Sequence, residues 1–565
     1  MRRTLIFAAV LLAKATSPAH QPAGTIVVDA SEFYHRIPAG DTIGAGFGNT
    51  AWLFNNSALN LQSKEDAVAR IAVPEAGAYR LFVRSMGTET SSFQVSVDGR
   101  RSKSTFGTGP LAWKGAETFS LKKGAAEIRL TAINPRPTLN VIVLSKNLGF
   151  DEKDLRGLEL PEEVELLRDY KIPANNIVKF GDVDGDGKPD FLVITPNYSA
   201  WMYNNEGKEL WHWDAPAENA RLRGEFEAPG SIWDFDQDGF DEVVHWRYID
   251  GKEWLVMADG RTGAIKRKVE WPTKPLPHVY NNFRTAIAKL HPGYADNLLV
   301  FTDYGGAINI TAYDRDLNRI WQHGENRLKD FFGHYIYPID LDGDGIDEVL
   351  VSHLCLDAKG RTVWNNYRYF DDNHDHMDAL EFFDIDGDGK LDLLTGQSDV
   401  GALAYNAQTG EMLWHNMADH TQQITAGYIL KGMKTPQVVA NGRTYGGRGG
   451  LGAQLYWFDN QGKLLSKWPR NPLNGNPNLV RGDWYGDGRK QYFWYRFKLE
   501  DDGRGTQFFE EPVYHMFDFL GNGAEQVITC DRTVLRVYGY RGVKPKSVKR
   551  DSEYKRNSIA NHTHY

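Results

Sequence analysis

Cysteine is nearly absent from this chain: Cys355 and Cys530 are the only two among 565 residues. Their spacing alone is compatible with one bridge in an exported protein and equally with two buried thiols. Long apolar runs are lacking too. No segment reaches the ~20 apolar residues that a membrane-spanning helix requires. The short run LIFAAVLLA follows Arg2 and Arg3 and precedes Ser17-Pro-Ala19, a small-x-small cleavage pattern. That arrangement predicts an export signal over residues 1–19 and a secreted or periplasmic protein without a membrane span. A positive charge excess is also missing. The net charge is −9 and the pI ≈ 6.0, so no basic field draws the protein to nucleic acid.

What is present is a soluble-protein composition, 41% hydrophobic and 25% charged, with 56 glycines and abundant Trp, Tyr and Phe. Such a mixture favours many short strands joined by tight turns. Within residues 25–147 the segments AGAYRLFVRS, SSFQVSVDGR and AAEIRLTAIN alternate apolar and polar positions, as half-buried antiparallel strands do. The expected unit is an all-β, jelly-roll-like β-sandwich, either a carbohydrate-binding module or a structural cap. A charged stretch over 148–175 reads as a linker with one short helix, and the basic, polar segment 542–565 reads as a disordered tail.

Between residues 176 and 541 the chain repeats itself. GDVDGDGKPD from Gly181, WDFDQDGFDE from Trp233, IDLDGDGIDE from Ile339 and FDIDGDGKLD from Phe383 each precede a β-branched or apolar run. GDWYGDGRKQ from Gly482 and FDFLGNGAEQ from Phe517 are worn copies. Gly-x-x-x-Trp elements follow several of them, ending at Trp211, Trp364 and Trp414. Two further repeats, TAIAKLHPGYADNLLVFTDYGG and ITAGYILKGMKTPQVVANG, keep the strands without the acidic loop. The period of very roughly 35–55 residues suits one four-stranded propeller blade, and the copies add up to about eight blades.

In D-x-D-x-D-G, alternate carboxylates can wrap one hard cation while glycine permits the sharp turn. The predicted Ca²⁺ ligands are Asp182, Asp184, Asp186 and Asp190; Asp234, Asp236, Asp238 and Glu242; Asp340, Asp342, Asp344 and Glu348; and Asp384, Asp386, Asp388 and Asp392. An EF-hand is excluded, because strands flank these loops and the twelfth-position Glu is missing. The ions are expected to brace blade turns rather than to catalyse.

From Phe283 to the last repeat the chain resembles the rhamnogalacturonan lyases of polysaccharide lyase family 11. The resemblance rests on NNFRTAIAKLHPGYADNLLV, GHYIYPIDLDGDGIDEVLV, HDHMDALEFFDIDGDG and FDFLGNGAEQVITCDRTVLRVYG, in the family's order. It implies a propeller enzyme that cleaves an acidic plant or algal polysaccharide by β-elimination. It also implies metal-binding roles for His334, His376 and Asp378, with Ca²⁺, Mn²⁺ or another divalent ion as cofactor. Arg284 matches a family arginine that would clamp the substrate carboxylate. His374, two residues before His376, is a candidate second ligand or proton acceptor. His278 and Tyr280 are candidate base and acid. His245, Arg443 and Tyr445 stand at comparable post-strand positions, as does His420, and are read as subsite or structural residues. The family's Arg-Gly-Tyr-Tyr-Thr-Arg stretch appears here as Asp303-Tyr304-Gly305-Gly306, leaving Tyr304 as its substrate-facing candidate. Where the family places an acidic ligand, this chain has Gln397, with Asp399 nearby. Another uronate–rhamnose glycan is therefore an equally compatible substrate. A non-catalytic glycan-binding propeller, a quinoprotein dehydrogenase and a two-carboxylate hydrolase are the competing classes.

Overall fold

A computed structural model describes residues 24–33, 42–45, 57–134, 136–149, 161–175, 177–216, 230–273, 281–304, 307–326, 333–369, 376–398, 400–446, 450–467, 478–501, 503, 505–509, 511–544 and 550–562. The signal-peptide residues 1–19 and His278, Tyr280 and His374 lie outside this set, as do the side chains of Tyr304 and Tyr445.

The protein is all-β. Six strands between Thr25 and Ser145 form one sheet; Ala67–Val73, Ser92–Val97, Arg100–Phe106 and Gly124–Asn134 form a second. Alternation explains the arrangement. In Ser92–Val97 every second side chain is buried, so one face of each sheet is apolar. Val28, Leu81 and Ile142 of the first sheet share a single hydrophobic cluster with Ile71, Val95 and Leu130 of the second.

Among the described residues, eight four-stranded antiparallel sheets follow. Seven are simple meanders over residues 177–213, 230–270, 281–326, 337–365, 377–416, 420–467 and 479–507. The eighth joins Val513–Phe517, Gln526–Asp531 and Val534–Tyr540 to Val164–Lys171, a strand from before the first repeat. In each repeat the first strand is the innermost. His420–Gly427 is buried throughout, whereas the fourth strand of the same repeat, Leu464–Lys467, is exposed throughout. First strands of successive repeats pack against one another, giving a propeller-like architecture.

The acidic turns owe their shape to hydrogen bonds within each repeat. The first Asp accepts from the amide five residues on: Asp182 from Gly187 at 3.0 Å, Asp340 from Gly345 at 2.9 Å, Asp384 from Gly389 at 3.0 Å. The ninth position accepts from the amide of the second. Asp190 does so from Val183 at 2.9 Å, Glu242 from Phe235 at 3.0 Å, and Asp392 from Ile385 at 3.0 Å. Repeats without the full carboxylate set use a neutral acceptor in that place: Asn297, Gln437, Gln491 and Gln526. A turn amide buried by the next repeat needs that acceptor whether or not a cation is bound.

Neighbouring repeats are joined by tryptophan. Trp211, Trp321 and Trp364 donate their indole N–H to Gly260, Ala358 and Ala407 of the next repeat at 2.7, 2.9 and 2.9 Å. Each ring lies flat against a turn glycine there. A Cβ on Gly410 (φ +71°) would come within 2.6 Å of Trp364, so the position excludes any larger residue.

Two expectations are corrected. Residues 148–175 are not only a linker with a helix, since Val164–Lys171 is a strand on the last sheet. An open sheet edge outweighs the helix propensity of its Leu and Glu residues. Nor are residues 550–562, the described part beyond Lys544, a frayed tail. Asp551 caps a short helix, Ser552–Lys555, and the chain then runs among the inner strands. Arg556 pairs with the buried Asp347, and Asn561 exchanges two hydrogen bonds with Ile287 at 2.7 and 2.8 Å. Arg550 meets Asp518 at 3.1 Å, and Tyr554 bonds both the Asp518 amide and Glu525. The basic composition that suggested disorder is complementary to the acidic turns it crosses. Both cysteines are free thiols.

Candidate metal centre

The first strands of repeats four, five and six begin on the same face, opposite the acidic turns, and each brings a histidine there. Gly333, at φ +151°, lets the chain approach Met377 closely, and the His334 amide donates to the Met377 carbonyl at 3.0 Å. That link crosses from repeat four to repeat five and sets His334 beside His376. His376 is in turn held by Ser398, which donates its amide to the His376 carbonyl at 3.1 Å.

The three imidazoles converge on one carboxylate. The Nε2 atoms of His334 and His376 each lie 3.2 Å from Asp378 Oδ1, and His420 Nε2 lies 2.7 Å from Oδ2. Gln422 donates its side-chain amide to Oδ2 at 2.5 Å. Asp378, His334 and Gln422 are fully buried, and His376 and His420 nearly so. Burial drives the His334 imidazole down to about 4, outweighing the nearby carboxylate. Burial likewise opposes ionisation of Asp378, but the imidazoles around it, His376 foremost, together hold its carboxyl well below the usual range.

The sequence pointed to His334, His376 and Asp378, and the structure brings those three together. It adds His420 and Gln422, which the sequence reading left among subsite or structural positions or passed over. The signal was there: HTQQ opens repeat six where HMDA opens repeat five, so His420 and Gln422 stand where His376 and Asp378 stand one repeat earlier.

The other expected residues separate. Arg284 is 1% exposed and directs its Nε at the His334 carbonyl. It thus sits on a buried strand against the backbone of His334, not in an open cleft where a substrate clamp was expected. His245 is also 1% exposed; it accepts from Arg247 at 2.8 Å and packs between Trp211 and Trp213. It is a packed core group, not a subsite wall. Arg443 is the cross-strand partner of His420 and half-buried, so it stands at the edge of the centre. Tyr304 and Tyr445 fall on strands Asn297–Tyr304 and Gln437–Gly446. Gln397, where an acid was looked for, is buried and bonds Thr395 at 3.1 Å.

The acidic turns are a different kind of cluster. Asp182, Asp184 and Asp190 group together, as do Asp234, Asp236 and Glu242, then Asp340, Asp342 and Asp344, then Asp384, Asp386 and Asp392. In the second group Lys266 already stands between Asp236 and Glu242 at 2.7 and 2.6 Å. Asp186, Asp238 and Asp388 instead accept from the amide two residues on. Glu348 caps the Leu341 amide at 3.0 Å.

Behind the centre lies a polar cavity of about 320 Å³. Its lining includes Tyr335, Ala379 and Gln423, the residues next in sequence to His334, Asp378 and Gln422. Glu381, held by Arg481 at 2.9 Å, and the stacked pair His515 and His562 also border it.

The FG-GAP repeat family matches residues 175–208. Rhamnogalacturonan endolyase YesW of Bacillus subtilis (strain 168) is 24% identical over 442 residues, 65% of this chain and 68% of that one. Rhamnogalacturonan exolyase YesX of the same organism is 23% identical over 346 residues; the match takes in 49% of this chain and spans about half, 55%, of the exolyase. Among solved structures, the rhamnogalacturonan lyase PL11 of Bacillus licheniformis superposes with a TM-score of 0.54 at 16% identity, covering 93% of this chain and 94% of that one. The chain is a distant relative of the rhamnogalacturonan lyases, and polysaccharide lyase is the enzyme class those relatives support.

Proposed function

We propose that this protein is an exported polysaccharide lyase that cleaves a uronate–rhamnose backbone of the rhamnogalacturonan type by metal-assisted β-elimination. In this reading the eight sheets close as an eight-bladed propeller, with the two N-terminal sheets as an attached sandwich. The observation that carries it is the convergence of His334, His376 and Asp378 at the start of adjacent inner strands.

β-Elimination removes a weakly acidic proton beside a uronate carboxylate, so charge must be neutralised there. His334, His376 and Asp378 would hold a divalent cation, which when bound supplies that neutralisation as a Lewis acid. The chain's own groups do the rest. Gln422 fixes the Asp378 carboxylate, Arg284 fixes His334, and Arg443 offers a guanidinium at the edge of the centre for the substrate carboxylate. His374, His278 and Tyr280 are the sequence's candidates for proton transfer. The acidic turns would take Ca²⁺ as oxygen-only sites that brace the repeats.

The test is ultraviolet absorbance of new conjugated double bonds on a panel of uronate–rhamnose polysaccharides, with and without divalent metal. A metal-dependent rise that vanishes in His376→Ala supports the reading. A flat trace on every glycan, with reducing ends unchanged, overturns it in favour of a glycan-binding propeller.

A further inference from the structure

We infer that His420 is a third imidazole ligand and that the buried centre takes a transition metal of the Zn²⁺/Mn²⁺/Co²⁺ class in preference to calcium. The centre is the one invoked above, but this inference is read from metal binding alone, so either can fail without the other.

The geometry carries it. Three Nε2 atoms, one from each of three successive repeats, face a single carboxylate at 3.2, 3.2 and 2.7 Å. Two ligands bound to one ion at about 2.0–2.1 Å in a tetrahedral array stand roughly 3.3 Å apart. The separations from Asp378 Oδ1 are already of that size. The set is thus three nitrogens and one oxygen, with a single formal negative charge. Calcium takes 6–8 oxygen ligands and has little affinity for imidazole, whereas N₃O sets suit zinc and its neighbours.

Two further observations limit the negative charge that a calcium site would gather. Gln397 stands on the strand beside Met377 as a neutral amide engaged with Thr395, so no second carboxylate comes from that strand. Gln422 turns its amide nitrogen, not its oxygen, toward Asp378. That bond orients the carboxylate from outside, as outer partners of metal ligands do. The acidic turns present the opposite chemistry, built of carboxylates alone, with buried anchors such as Asp190 and Asp392 and exposed tips. One chain thereby offers two donor types to two classes of ion.

The experiment uses the full chain, stripped with a strong chelator and dialysed. Co²⁺ is added and its visible d–d absorption recorded, then a large excess of Ca²⁺. The expected result is one equivalent of Co²⁺ with nitrogen-ligand bands that Ca²⁺ leaves unchanged and that Zn²⁺ abolishes. His420→Ala should weaken Co²⁺ binding by at least about tenfold and alter the bands, and His420→Gln serves if the alanine variant fails to fold. Loss of the bands on adding Ca²⁺, absence of any Co²⁺ uptake, or unchanged bands and affinity in a folded His420 variant would each overturn the inference.

Discussion

The acidic turns and the histidine centre both bring metal-ligating side chains together, but they do so by opposite routes. Each turn is built from about ten consecutive residues, has its tip at the surface, and recurs between the first and second strands of several repeats. The centre is assembled once from three repeats, is buried, and has one carboxylate among three imidazoles. Local repetition signals a part that each repeat needs for itself. A unique, non-local cluster signals a part the whole molecule needs once.

If that division is right, substitutions in the two regions should part stability from activity. The largest stability effect is expected at the rear of the acidic turn of repeat four. Arg556→Ala leaves the Asp347 carboxylate buried without its partner, where burial already pushes its pKa up. A loss of about 3–5 kcal/mol is expected in denaturant unfolding, and a loss under 1 kcal/mol would show that the pair is solvated. At the centre, Asp378→Asn should lower lyase turnover on the order of 100-fold while its unfolding midpoint in chelator stays near wild type. Equal losses of both would dissolve the distinction.

Calcium sharpens the comparison from the other side. Free Ca²⁺ at 100 times Kd should stabilise the fold by about 2.7 kcal/mol for each turn that binds it, and Asp384→Ala should remove one such increment without touching a transition metal at the centre. Calorimetry in Ca²⁺ and in a calcium-selective chelator measures this, and identical melting in both would refute calcium bracing. The smallest effect belongs to His245. Burial first, and the Arg247 charge second, push its imidazole well below the ordinary range. The unfolded chain therefore takes up a proton below about pH 6.5 that the folded one refuses. That contribution to stability is intact above pH 6.5 and falls as pH drops, by up to about 1.4 kcal/mol per pH unit. His245→Phe should flatten that slope.

How much of this the sequence showed follows the same line. The repeats, their strands and the turn glycines were legible because each arises within ten or so consecutive residues. His334, His376 and Asp378 were legible through resemblance to a family. His420 was not, because nothing in HTQQITAG declares a ligand until repeat six is laid beside repeat five. Arg284 and His245 read as cleft residues because sequence does not report burial; both are 1% exposed. The segment 550–562 misled for a related reason. Arg550, Lys555 and Arg556 looked solvated, and their partners, Asp518, Asp182 and Asp347, lie far away along the chain.

The last sheet joins Val164–Lys171 to Val534–Tyr540, and residues 550–562 then cross the ends of repeats one, three, four and eight. During synthesis the earlier strand emerges long before its partner, with one hydrogen-bonding edge bare. Such an edge invites pairing with other chains. The repeats in between are made first, yet the last sheet stays incomplete until its closing strands leave the ribosome. Nascent chains that stall short of Val534 would thus be marked by an open edge and exposed to quality control.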